Sequence, residues 1–293
     1  MVNPEAPALS AYEELPPDRP VPDFVLLGAM KAGSTTLFRR LEQHPAIAAG
    51  GTKEPNFFSR DENWSRGLDW YRTQLASGPA ELLRGEASVE YADPRLAPTV
   101  MRRLVEVAPR AHILLVLRHP VERLRSHYRH EVQRSRERRP LAEAVLEPDN
   151  AYVRRSCYAP TIEAVLATVG AAQLLVLRSE QLDEEETWVK VLGHLGVSHI
   201  ALPTTRYNVA AEKEGFTAAM LKLWERGWID RMKRLPKPAR KIGRRVLMRR
   251  GTGFDERMAA SEAPVPESVV ETLALDAKRT TELLGWGTCP WDF

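Results

Sequence analysis

The sequence predicts an α/β fold, a parallel sheet flanked by helices in a single domain, on three observations. Short apolar runs recur along the chain, stretches of helical periodicity lie between them, and the first run leads through a glycine-containing loop into a helix. The 293 residues, 43% hydrophobic and 28% charged, are of ordinary globular composition and enough for a large buried core. No apolar run approaches the roughly 20 residues that a membrane span needs.

Residues 1–20 carry prolines at positions 4, 7, 16, 17 and 20 and are expected to form a flexible tail, with the folded domain over residues 21–293. The tail lacks the basic start and apolar middle of a secretion signal, so a cytoplasmic location is expected. Asp23-Phe24-Val25-Leu26-Leu27-Gly28 is an apolar run ending in glycine, the pattern of a strand buried on both faces. Ser34 to Gln43 follows with Leu37, Phe38 and Leu41 on one side, which suits a helix lying over that strand. The runs His112 to Leu117 and Gln173 to Leu177 are two further strands, each preceded by a helical stretch, Leu96 to Ala108 and Thr161 to Val169. Arg118 and Arg178 stand at the ends of these strands, on the rim where ligands of open α/β sheets bind. Pro120 to Arg136 predicts a helix with proline in its first turn, and Pro266 to Trp286 a last helix expected to pack on the sheet.

Forty-two basic against 39 acidic residues leave a net charge of only +3, which excludes a general nucleic-acid binder. Charge is concentrated locally instead: Lys233 to Arg250 holds nine basic residues and no acidic one, a solvated face or a patch for an anion. Cys157 and Cys289, the only cysteines, are too few for a disulfide framework or a cysteine zinc site, and no metal is called for.

The loop Gly28-Ala29-Met30-Lys31-Ala32-Gly33-Ser34-Thr35-Thr36 joins the first strand to its helix. Glycines let backbone approach a ligand, a helix N-terminus offers N–H groups, and three hydroxyls add donors, so the arrangement is P-loop-like and suits an anion. It departs from the ATP-binding pattern, because Ser34 stands where that pattern has lysine, and the lysine lies inside the loop as Lys31. Arg118 also follows a strand where a magnesium-binding aspartate would be expected. A nucleotide-dependent, kinase-like phosphotransferase is therefore the alternative rather than the first reading, and a non-catalytic binding protein the third.

Residues Pro22 to Leu37 resemble the 5′-phosphosulfate loop of sulfotransferases that use 3′-phosphoadenosine 5′-phosphosulfate (PAPS). Lys53-Glu54-Pro55-Asn56-Phe57-Phe58 and Gly85-Glu86-Ala87-Ser88-Val89-Glu90-Tyr91 are similar to segments of the heparan-sulfate sulfotransferase-like branch and its bacterial relatives. Arg118-His119-Pro120-Val121-Glu122-Arg123-Leu124-Arg125-Ser126-His127-Tyr128 resembles the family's 3′-phosphate element. Arg178-Ser179-Glu180-Gln181-Leu182 and Leu283-Leu284-Gly285-Trp286 resemble later elements. Asn56, Ala87 and Val89 depart from the residues that the family often carries there, which leaves the acceptor open.

The resemblance implies in-line transfer of a sulfuryl group from PAPS to a hydroxyl, or as second choice an amine, of a small molecule, lipid or sugar. Lys31 would meet the charge that grows on the leaving oxygen, with Ala32, Gly33, Ser34, Thr35 and Thr36 holding the non-bridging oxygens. Glu54 would be the general base, with His119, His127 and His130 as alternatives. Arg118 and Ser126 would take the 3′-phosphate, and Arg249-Arg250-Gly251 would close over the cofactor.

Overall fold

The computed structural model describes residues 21–134, 136–202, 259 and 261–293. The tail, the basic run from Lys233 and the segment Arg249-Arg250-Gly251 lie outside the described residues. The chain divides into two compact units: one holds the residues up to Ala29, Gly33–Val116 and those from Ala164, the other Met30–Ala32, Leu117–Glu163 and the C-terminal residues.

The first unit is built on a five-stranded parallel sheet. Its strands are β1 (Phe24–Gly28), β2 (Ile47–Ala49), β3 (Leu83–Ala87), β4 (His112–Leu117) and β5 (Leu174–Arg178), in the order β2-β3-β1-β4-β5. Every residue of β1 is buried, which is why it reads as an unbroken apolar run. From β1 the chain passes through α1 (Ser34–Leu41) to the β2 edge, returns to β3, and only then crosses to β4 and β5. The order reverses at β1, so the carboxyl end of β1 is the switch point at which open α/β sheets leave room for a ligand.

β1, β4 and β5 lie where apolar runs predict them, and α4 (Ala97–Val107) and α8 (Ala159–Thr168) where periodicity does. β3 is different. It pairs with β1 in the register Phe24 to Gly85, Val25 to Glu86 and Leu26 to Ala87, yet carries two charged residues that are almost completely buried, Arg84 and Glu86. Arg84 spends its guanidinium on the carbonyls of Gly78, Pro79 and Leu82 at 2.5, 3.0 and 3.2 Å. Gly85 between them must be glycine, because a Cβ there would run into the ring of Phe24.

The second unit is helical. Leu124, Tyr128 and Val132 of α5 (Pro120–Gln133) form a core with Leu141, Ala144 and Val145 of α6 (Leu141–Leu146) and Tyr152 of α7 (Ala151–Arg154). Val269 and Leu273 of the last helix, which we number α10 (Glu267–Leu284), complete this core. The stripe of α10 expected to face the sheet is thus matched to the apolar side of α5. Asp276 of α10 accepts from the amides of Tyr158 and Ala159 at 2.5 and 3.2 Å. Among the described residues no helix is long and apolar enough to cross a membrane.

Candidate active site

The loop after β1 is shaped by its backbone. Gly28, Lys31 and Gly33 all have positive φ, 137°, 71° and 98°, a region that a lysine enters only under constraint. Gly33 caps α1, and a Cβ on it would lie 2.8 Å from Leu182 Cδ1, so both its φ and its packing call for glycine. Among the described residues no side chain caps α1, and no acidic residue lies in its first turn. The amide of Thr36 donates to the carbonyl of Gly33 at 2.9 Å, an ordinary first helical bond. The Thr36 amide is thus engaged within α1, while those of Ala32, Gly33, Ser34 and Thr35 have no backbone acceptor among the described residues. Four successive donors and a helix dipole converge there on anion chemistry.

Within the second unit, Met30 is held from two sides. Arg123, completely buried, donates to the Met30 carbonyl at 3.4 Å, to Ser156 Oγ at 2.7 Å and to the Tyr152 carbonyl at 2.7 Å. Arg155 reaches the Met30 sulfur at 3.5 Å. These grips act on the residue next to Lys31.

Glu54 lies in the first unit on a segment whose backbone is also constrained, with φ of 52° at Glu54 and 51° at Asn56. Its carboxylate is partly exposed and stands 3.9 Å from Lys53 Nζ. Asn56 Nδ2 donates to the Glu54 carbonyl at 2.9 Å, and the Asn56 amide donates to Ser88 Oγ at 3.1 Å. The Phe58 amide donates to Tyr91 Oη at 3.2 Å, while Arg103 of α4 donates to the Phe58 carbonyl at 3.2 Å. Phe57 stacks on Tyr71 of α3 (Gly67–Gln74) with ring centroids 4.4 Å apart.

Arg118 follows β4 directly, and Ser126 is buried on α5. The Arg118 guanidinium donates to Glu122 at 3.3 Å, and its carbonyl accepts from Tyr158 Oη at 2.8 Å. Of the alternative bases, His119 is committed at both ring nitrogens, Nδ1 to the Val121 amide at 3.3 Å and Nε2 to the Asp292 carbonyl at 2.6 Å. His127 is buried, and desolvation followed by the charges of Arg123, Arg155, His130 and Lys31 pushes it down to about 2, so it is a very weak base.

Residues 21–192 match the sulfotransferase domain family. The chain belongs to that family. Similar proteins include the membrane-associated sulfotransferase kil1 of Dictyostelium discoideum, 36% identical over 117 residues, which are 39% of this chain and 24% of kil1. The bifunctional heparan sulfate N-deacetylase/N-sulfotransferase 4 of Mus musculus is 29% identical over 202 residues, 61% of this chain and 22% of that protein. The heparan sulfate glucosamine 3-O-sulfotransferase 5 of Mus musculus is 28% identical over 108 residues, 37% of this chain and 30% of that protein. The matches thus span 22% to 30% of these relatives' own lengths. A sulfotransferase from Alicyclobacillus acidocaldarius shares the fold, with a TM-score of 0.61 at 24% identity over 90% of this chain and 96% of that one.

In this sulfotransferase chain, the motifs alone assign no role to Glu86 and Arg103 of the first unit or to Arg123 of the second. Glu86 and Ser88, two residues apart about the end of β3, were the available signal, since that spacing puts both side chains on one face. Arg123 offered only its place in the Arg118 element.

Proposed function

We propose that the chain transfers the sulfuryl group of PAPS to a hydroxyl of a sugar or other small acceptor. The acceptor oxygen attacks sulfur in line, and the bond from sulfur to the bridging phosphate oxygen breaks. The hydroxyl proton passes to the Glu54 carboxylate, and the bond's electron pair leaves with adenosine 3′,5′-bisphosphate (PAP). Lys31 stabilises that leaving oxygen, and the amides from Ala32 to Thr35 hold the phosphosulfate. Arg118 and Ser126 are assigned to the 3′-phosphate, a guanidinium fork joined by a hydroxyl.

The observation that carries this reading is the loop: a lysine fixed inside it at positive φ, followed by four amides without backbone acceptors among the described residues. A sulfuryl group bears less charge than a terminal phosphoryl, so lysine and amide donors suffice where phosphoryl transfer relies on magnesium. The relatives named for heparan sulfate chemistry support a carbohydrate acceptor.

Thermal melting with PAP and with magnesium-ATP tests the reading. A ligand at about a hundred times its Kd stabilises the native state by roughly 2.7 kcal/mol. PAP should raise Tm and magnesium-ATP should leave it nearly unchanged; equal stabilisation by both would refute the proposal.

A further inference from the structure

Glu86 takes no part in the transfer scheme, yet its buried carboxyl accepts three hydroxyl hydrogen bonds. Tyr71 Oη and Tyr91 Oη both donate to its Oε1, at 2.9 and 2.8 Å, and Ser88 Oγ donates to Oε2 at 2.7 Å. Each of these three partners then touches one short stretch of chain. Ser88 Oγ accepts from the Asn56 amide, Tyr91 Oη accepts from the Phe58 amide, and the Tyr71 ring stacks on Phe57.

We propose that Glu86 is a positioning residue for the general base: through Ser88, Tyr91 and Tyr71 it fixes residues 56–58, and with them the backbone that presents Glu54. The proposal rests on the assignment of Glu54 as base. Packing alone does not call for a carboxyl at this place, since Val25 opposite it in β1 is apolar, and an apolar residue would fill a buried strand position at lower cost. What a carboxyl adds is two acceptor oxygens that orient three hydroxyl groups at once. The stretch it orients needs that help, because Glu54 and Asn56 sit at positive φ, a conformation that persists only where the surroundings impose it. Asn56 passes the restraint on directly, its side-chain amide closing on the Glu54 carbonyl. Arg103 secures the far end through the Phe58 carbonyl.

The test uses the full chain with Ser88→Ala, Tyr91→Phe, Glu86→Gln and Glu54→Gln. Amide hydrogen exchange at residues 56 and 58, PAP affinity, and PAP release from PAPS over a mixture of sugar and small hydroxyl acceptors are read in parallel. Ser88→Ala should speed exchange at Asn56 and lower turnover about tenfold while PAP affinity stays within about twofold. Tyr91→Phe should do the same through Phe58, and Glu86→Gln through both. Combined with Glu54→Gln, Ser88→Ala should cause no additional loss, since it acts through the base. If Glu86→Gln does not fold, Ser88→Ala decides. Full turnover in Ser88→Ala beside an inactive Glu54→Gln overturns the positioning role and leaves the base in place. Turnover and PAP affinity falling in equal proportion makes the network structural only and also overturns it. Near-normal turnover in Glu54→Gln refutes the base assignment itself.

Discussion

Replacing Glu86 by glutamine should remove a particular slope from the pH dependence of stability. Burial, the largest influence on this fully enclosed carboxyl, pushes it up to about 7 from an ordinary value of 4.5, against the bonds from Ser88, Tyr91 and Tyr71 that favour the charged form. Both tyrosines are themselves raised by burial, so they stay neutral as Glu86 titrates. An acid with a raised folded-state value contributes stability that is fully present below its unfolded value and is lost as the pH rises through its folded value. For Glu86 that window runs from 4.5 to about 7. Integrated between about pH 5 and about pH 8, the loss is about 2–3 kcal/mol, or about 5 °C in Tm for a chain of this size. Glutamine keeps the shape and does not titrate. Melting curves of wild type and Glu86→Gln across that range should therefore diverge, with the wild type losing about 5 °C relative to the variant as pH rises. Asp276, raised to about 6 mainly by burial, titrates in the same window but is common to both proteins and cancels. Parallel curves would show that the folded protein does not hold Glu86 against ionisation, and would refute the reasoning.

Two further substitutions probe the loop and the nucleotide. Gly33→Ala forces a Cβ to 2.8 Å from Leu182 Cδ1 at a φ of 98°; a loss of about 1–3 kcal/mol in stability and at least about tenfold weaker PAP binding should follow, read by melting and calorimetry. Arg118→Ala removes an ion pair with Glu122 between partly exposed groups, so stability should change by less than about 1 kcal/mol. PAP affinity should fall about ten- to hundredfold while that for adenosine 5′-phosphosulfate, which lacks the 3′-phosphate, holds. An equal calorimetric loss for both ligands would make Arg118 a tie between β4 and α5.

The strands that sequence reading finds are those whose residues have one physical task. β1 and β4 lie inside the sheet, burial demands apolar side chains, and the runs stand out; α1, α4 and α5 announce themselves through one apolar side and, in α5, a first-turn proline. β3 is hidden because its burial is solved another way, by Arg84 and Glu86 finding partners among residues 71 to 91. β2, only three residues long, carries too short a signal. The anion loop is legible because glycine and hydroxyl residues are its chemistry. What the loop's sequence does not reveal is which amides the helix itself uses, and there Thr36 belongs to α1. Of the three histidines near Arg118 that residue type alone leaves open as bases, His119 and His127 are disfavoured by their surroundings, a carbonyl and an amide for His119 and a buried cationic setting for His127.

Whether Lys31 and Glu54 drive sulfuryl transfer from PAPS, as proposed, is decided by mass spectrometry of acceptors incubated with enzyme and PAPS in the absence of divalent ions. A sulfuryl-sized mass gain is expected with wild type, and its loss in Lys31→Ala and in Glu54→Gln although both variants still bind PAP. Undiminished transfer in both variants, or a phosphoryl-sized gain that needs magnesium-ATP, would contradict it.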